Sequence, residues 1–318
     1  MATPLVKTGF GSLMALLGTA GTAAAAYPEP WQLNFQKPAT EIMERIDGFH
    51  DMLLVIITAI TLFVLALLVI VMVRYNAKAN PNPSKVSHNT LIEVIWTAVP
   101  ILILVVIAVP SFRILYAVEN VPPADITVKA IGQTWYWSYE YAEATEAGEP
   151  VYDFVFDSFV AARTADEVQP GQIRLLSTDV PIVVPVGRTV RMLITAPVEG
   201  VLHSWAMPAF GTKMDAVPGR INETWFRAER EGTYYGQCSE ICGVGHAFMP
   251  IEVRVVSDEA YAEWTKQMQE EFARDPDAPP VNVAAVLDLL SGDTSVVDAE
   301  QPVPAEQAEK DDLARLPQ

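Results

Sequence analysis

Hydrophobic and polar positions change pattern several times along the chain. Residues 52–73 carry no charged side chain. At about 1.5 Å per helical residue they cover about 33 Å, enough for a hydrocarbon core of about 30 Å. Residues 91–109 form a second apolar run, with Glu93 near its start and Pro100 in its middle. Both runs predict membrane-crossing helices. The loop 74–90 between them holds Arg74, Lys78 and Lys85 and no acid. The positive-inside rule therefore puts that loop in the cytoplasm and both flanks outside. Upstream, Lys7, an apolar core at 9–17 and small residues ending Ala23-Ala24-Ala25-Ala26 before Tyr27 read as a signal peptide over 1–26. Residues 27–51 then form an N-terminal segment outside the membrane.

Over 110–256 the pattern becomes short β-prone runs punctuated by Pro and Gly, at 126–131, 134–141, 173–176, 181–186, 189–195, 224–228, 233–235 and 251–256. Such spacing predicts one all-β sandwich or barrel. Residues 257–274 read as a polar helix with Ser257 as its N-cap. Residues 275–318 are an acidic, Pro/Ala-rich tail.

Composition sharpens this division. Hydrophobic residues make up 51% of the 318 residues and mean hydropathy is +0.22, the excess lying before residue 110. The net charge of −18 belongs wholly to the part after the apolar runs, because residues 1–109 hold 6 basic and 6 acidic side chains. An acidic outer part excludes a nucleic-acid partner, which needs a basic face. It suits a basic protein partner drawn in by the opposite field.

The chemistry concentrates in Tyr235-Gly236-Gln237-Cys238-Ser239-Glu240-Ile241-Cys242-Gly243-Val244-Gly245-His246-Ala247-Phe248-Met249-Pro250. The donors are spaced Cys-x3-Cys-x3-His-x2-Met, in a loop between two β-prone runs. A second imidazole must come from elsewhere among four His. His50 abuts a membrane run and His88 lies on the cytoplasmic loop, which leaves His203. Two thiolates, two imidazoles and a thioether are soft to borderline donors and suit copper. Two thiolates can bridge two metals. Cys-x3-Cys alone also fits a disulfide, and zinc accepts Cys2His2, but zinc gives no reason for Met249.

Gly236-Gln237-Cys238-Ser239-Glu240-Ile241-Cys242-Gly243 with His246 and Met249 resembles the CuA signature of the cytochrome c oxidase subunit II family. The resemblance to the family also includes Gly132-Gln133-Thr134-Trp135-Tyr136-Trp137-Ser138-Tyr139-Glu140-Tyr141, Phe156-Asp157-Ser158-Phe159, Leu202-His203-Ser204-Trp205 and Asp215-Ala216-Val217-Pro218-Gly219-Arg220. The resemblance implies a two-helix transmembrane hairpin followed by a cupredoxin-like Greek-key sandwich over 110–256. It implies a dinuclear copper centre on His203, Cys238, Cys242, His246, Met249 and the backbone carbonyl of Glu240. The Glu240 side chain would face a magnesium ion shared with a haem-bearing subunit I. Trp135 would be the electron entry point from cytochrome c. Glu93 would stand at the mouth of a proton-uptake channel, and Glu140, Asp157, Asp179 and Glu199 would dock the cytochrome. The implied setting is the bacterial inner membrane, among its lipids and the other oxidase subunits, with the copper domain in the periplasm. Lys213, Asp215 and Arg220 could brace either the copper site or the subunit contact. The rival readings are a membrane-tethered copper-delivery protein and a copper-free quinol oxidase subunit.

Overall fold

The computed structural model describes residues 24–143 and 151–272. A short strand β1 (Ala24–Ala26) precedes two long helices, α1 (Glu41–Arg74) and α2 (Thr90–Glu119). Then come β2 (Ile126–Gln133), β3 (Tyr136–Glu143), β4 (Val151–Ser158), β5 (Ile182–Pro185), β6 (Thr189–Thr195) and β7 (His203–Met207). The chain continues through β8 (Thr212–Ala216), β9 (Asn222–Arg227), β10 (Gly232–Cys238), β11 (Pro250–Val256) and helix α3 (Asp258–Phe272).

Both apolar runs lie in helices long and apolar enough to cross a membrane. The helices outrun the apolar spans 52–73 and 91–109. At 34 residues α1 is about 50 Å long, so its polar first turns stand clear of a bilayer. Pro110, where the sandwich region was expected to begin, lies inside α2. A proline removes one hydrogen bond, and the turns on either side of it are helical.

The outer end of α1 is fastened to the sandwich. Thr40 is buried and caps the helix: its hydroxyl accepts the Met43 N–H at 3.1 Å and donates to the Phe210 carbonyl at 2.8 Å. Ala39 N–H donates to the Ala209 carbonyl at 2.8 Å, and the Ala39 carbonyl accepts from Glu229 N–H at 2.9 Å. Gly211, at φ 70°, lets the chain turn beneath α1, where a Cβ would sit 2.9 Å from Ile46 Cδ1.

Two sheets form the sandwich, in the orders β5-β11-β10-β7-β8 and β4-β3-β2-β6-β9, with β1 alongside β10. Neighbours are antiparallel except β5/β11, β2/β6 and β1/β10. Alternation on β3 turns Trp137, Tyr139 and Tyr141 inward, onto Trp205 and Met207 of β7 and Ile251, Val253 and Val255 of β11 in one core. Tyr141 also ties the sheets by hydrogen bonds, donating to the Val183 carbonyl at 3.0 Å and accepting the Val183 N–H at 3.1 Å. Helix α3 starts at Ser257, whose hydroxyl accepts the Ala260 N–H at 3.3 Å, as the sequence predicts. Its Trp264 packs against Tyr141, Phe154 and Phe156. Arg188 holds Asp258 at the helix start through two N–H groups, at 3.0 and 3.2 Å.

Most expected strands are present. Residues 134–141 enter the sheet only from Tyr136. Residues 173–176 are a turn: Ile173 N–H donates to the Ser177 hydroxyl at 2.9 Å and Leu175 has φ 64°. Strands β4, β7 and β8 were not anticipated. Ala24–Ala26, placed at the end of the signal peptide, pair in parallel with residues 232–234 of β10. The rest of that segment and the tail 275–318 lie outside the described residues.

Replacing Tyr141 with Phe leaves both backbone groups of Val183 without their partner. The expected cost is about 1–3 kcal/mol, a fall of about 2–4 °C in thermal midpoint for each kcal/mol. Calorimetry of the purified chain checks it; an unchanged midpoint would show that water replaces the hydroxyl at no cost.

Candidate metal centre

His203 opens β7 and Cys238 ends β10, and these strands pair through Gln237 with Ala206 and Cys238 with Trp205. Ser239 N–H extends the pairing to the Ser204 carbonyl at 3.0 Å. The two ligand candidates, far apart in sequence, are thereby brought side by side: His203 Nδ1 lies 3.8 Å from Cys238 Sγ. The loop then turns back. Cys242 Sγ comes to 3.9 Å from Cys238 Sγ, 3.5 Å from His246 Nδ1 and 3.6 Å from Met249 Sδ. The Glu240 carbonyl is 3.4 Å from Cys238 Sγ. Every donor chosen from the sequence is gathered at one end of the sandwich.

Three glycines let the donors approach. A Cβ on Gly236 would sit 1.9 Å from the Ala206 carbonyl oxygen, so only glycine lets β10 lie this close to β7. A Cβ on Gly132 would press on the His203 ring at 2.7 Å. One on Gly245 would meet Trp135 at 2.2 Å. From the β2–β3 turn and from β3, two indoles hold the loop. Trp135 N–H donates to the Cys242 carbonyl at 2.9 Å and Trp137 N–H to the Met249 carbonyl at 3.3 Å.

The donor chemistry fits copper. Both cysteines are free and buried, and 3.9 Å between sulfurs is far beyond a disulfide bond of about 2.05 Å. A metal fits between them, since metal–thiolate bonds run about 2.3 Å. Burial, with His246 nearby, pushes His203 down to about 4, so its ring is neutral and its lone pair available. Burial and the adjacent Cys238 push the Cys242 thiol up to about 12. That thiol keeps its proton until a cation displaces it. The thioether of Met249 in the cluster is a soft donor that favours copper over zinc.

The other candidates occupy varied positions. Glu93 lies in the first turn of α2, its carboxylate accepting the Asn89 N–H at 3.3 Å. Glu140 pairs with Lys129 at 3.2 Å and is largely buried. Asp157 accepts the Ser138 hydroxyl at 2.6 Å. Asp179 accepts the N–H groups of Phe159 and Val180, each at 2.7 Å. Glu199 is exposed. Lys213 and Asp215 pair at 3.3 Å on β8, beside the strand that carries His203. Arg220 offers its carbonyl to the Thr195 hydroxyl at 2.8 Å. The packing roles of Gly132 and Gly236 are not visible in the sequence, where the only signal is a glycine just before Gln133 and Gln237 in the two aromatic-flanked motifs.

Gly132→Ala tests the packing beneath His203. It should weaken copper binding about tenfold or more without touching a ligand, as outer groups that orient a ligand do. Competition with a copper chelator measures this, and native affinity would show that the His203 ring is free to move.

Known proteins resemble this chain over most of its length. The family described as "Cytochrome C oxidase subunit II, periplasmic domain" matches residues 126–256, and its "transmembrane domain" matches residues 28–114. A "Probable cytochrome c oxidase subunit 2" of Rickettsia bellii is 53% identical over 76% of this chain and 85% of its own length. The "Cytochrome c oxidase subunit 2" of Phytophthora megasperma is 48% identical over 75% of this chain and 87% of its own. A crystal structure of the periplasmic domain of subunit II of cytochrome oxidase from Bradyrhizobium japonicum is 48% identical; it covers 48% of this chain and all of that one, with a TM-score of 0.41. With both halves matched in order and relatives alike over most of their own length, the chain belongs to the cytochrome c oxidase subunit II family.

Proposed function

We propose that electrons enter this oxidase subunit at Trp135 from reduced cytochrome c and are held at a dinuclear copper centre. The centre would be bound by His203, Cys238, Cys242, His246, Met249 and the Glu240 carbonyl. The chain is a membrane-anchored subunit of an oxidoreductase complex and works with the other oxidase subunits. When bound, the copper pair supplies a one-electron carrier whose charge is spread over two nuclei. The protein supplies the fixed frame around it.

The observation that carries this reading is the contact between Trp135 and Cys242. The half-buried indole donates directly to the carbonyl of a thiol ligand, so an electron arriving at the ring is one hydrogen bond from the donor set. Beside it Tyr136 and Phe159 stack with ring centroids 4.5 Å apart, and Phe159 is exposed. Asp157 and Asp179 flank this aromatic patch through Ser138 and Phe159. A basic cytochrome fits such a face, apolar at its centre and acidic at its rim. Glu140, held by Lys129, would contribute less to docking than Asp157, Asp179 or Glu199.

From the centre electrons would pass to haem in subunit I, for reduction of oxygen to water coupled to proton pumping. Glu93, at the loop-side end of α2, would mark the proton-uptake mouth, since a carboxylate at the edge of a span is a functional group by default. Glu240 would offer its side chain to a magnesium ion shared with subunit I. The basic loop 74–90 and the signal-like N-terminus support a bacterial inner-membrane setting with the sandwich in the periplasm. The intact donor set argues against a copper-free quinol oxidase subunit.

Trp135→Gln in the assembled oxidase should lower cytochrome c oxidation by at least about a hundredfold while the copper absorption bands stay native. Stopped-flow mixing with reduced cytochrome c measures it; fast entry in the variant would refute the route. Docking through acids also predicts that the second-order rate falls with added salt. A rate independent of salt would remove the acids from docking.

A further inference from the structure

Residues 159–181, between β4 and β5, form a long connection that grips both ends of the ligand loop. Gln237, next to Cys238, donates its amide to the Leu175 carbonyl at 2.9 Å. On the far side, Glu252 of β11 is buried and accepts the Thr178 N–H at 2.8 Å. The connection is stitched to itself by Ala161 N–H to the Ser177 carbonyl at 2.9 Å and Leu175 N–H to the Ala162 carbonyl at 3.0 Å. Within this frame the Arg163 guanidinium lies over the Phe248 ring, 5.4 Å from its centroid. Phe248 sits between His246 and Met249, and its N–H donates to the Gly245 carbonyl at 2.8 Å.

The backbone of Arg163 is fixed on both sides. Its N–H and that of Thr164 go to the Glu167 carboxylate at 2.7 and 3.1 Å. These two donors hold the Glu167 carboxyl below the usual range. The Arg163 carbonyl accepts from Arg174 at 3.3 Å. An exposed cation–π contact is weak on its own. Here the ordering cost of the backbone is already met by the turn, so the stacking acts directly on the ring.

We propose that Arg163 is a positioning residue for the metal centre: it clamps Phe248, and with it the turn bearing His246 and Met249, and its fixed positive charge favours the reduced centre. This rests on the copper reading above. Aliphatic or polar residues at 163 would leave the same fold with a looser turn and a lower potential. The position is thus a means of tuning the centre without altering a ligand.

The test uses the full chain purified with copper, comparing R163Q, R163K, F248L and the R163Q/F248L double variant by potentiometric titration. R163Q should favour the oxidised centre roughly two- to threefold, because a surface charge acts through a high effective dielectric. That is about 20–30 mV at 59 mV per tenfold. R163K should recover most of the shift, and the double variant should shift by less than the sum of the singles. Hydrogen exchange at the Phe248 amide should quicken in R163Q, with or without metal. A native midpoint at low salt together with native Phe248 exchange in R163Q would overturn the proposal. Should R163Q fail to accumulate, F248L decides: a native midpoint with native amide exchange at position 248 would overturn the proposal, and a lowered midpoint with quickened exchange there would uphold the clamp. If the native chain itself fails to take up copper, the copper reading falls, while Phe248 exchange still decides the clamp.

Discussion

The close pairing of β7 with β10 is the constraint on which the rest depends. Those strands touch where Gly236 faces the Ala206 carbonyl, with no space for a side chain. The contact sets Cys238 against His203 and fixes where the ligand loop leaves the sheet. The loop needs only to return to β11, bringing Cys242, His246 and Met249 back over Cys238. A wider β7–β10 spacing would separate the first thiol from the first imidazole and leave four donors without a fifth. Strand register, not the loop itself, thus gives the centre its first two ligands.

The second sheet closes what the first opens. Trp137 is buried in the core, and its indole still reaches the Met249 carbonyl. Trp135 does the same for Cys242 from a half-buried position. Two indole donors, one in the turn before β3 and one in β3 itself, therefore hold two loop carbonyls, those of Cys242 and Met249. Buried polar groups of this kind are costly when unpaired, so the loop gains rigidity from being satisfied. Rigidity of the frame is what an electron carrier requires, because ligand positions that hardly change between oxidation states keep reorganisation small. The tie from Ala39 and Thr40 to the 3-10 turn Pro208–Phe210 extends the same frame to the outer end of α1, so the sandwich is held at its membrane support.

Much of this was legible in the sequence because the signals were local. Apolar length gave the two membrane helices, alternation gave most strands, and counting four histidines pointed to His203. Ser257 announced α3. The failures have physical causes. Pro110 read as a boundary, but a proline removes only one helical bond and α2 continues past it. Residues 173–176 set three aliphatic side chains around Arg174 and look β-prone, yet Ser177 and a left-handed Leu175 bend them into a turn. Strand β7 was missed because all five of its residues are buried, which erases the alternation that marks a half-exposed strand. The packing of Gly132 under His203 and the stacking of Arg163 on Phe248 join residues far apart in the chain, and no local pattern encodes them. The pairing of Glu140 with Lys129 is likewise visible only once β2 and β3 are placed side by side.

On the proposed reading, five side chains and one carbonyl hold a pair of coppers that share an electron. Metal analysis and electron paramagnetic resonance on one sample of the copper-loaded chain test it most directly. The expected result is two coppers per chain and a seven-line hyperfine pattern from one electron shared by two nuclei of spin 3/2. One copper per chain with a four-line pattern, or preferential retention of zinc, would contradict it.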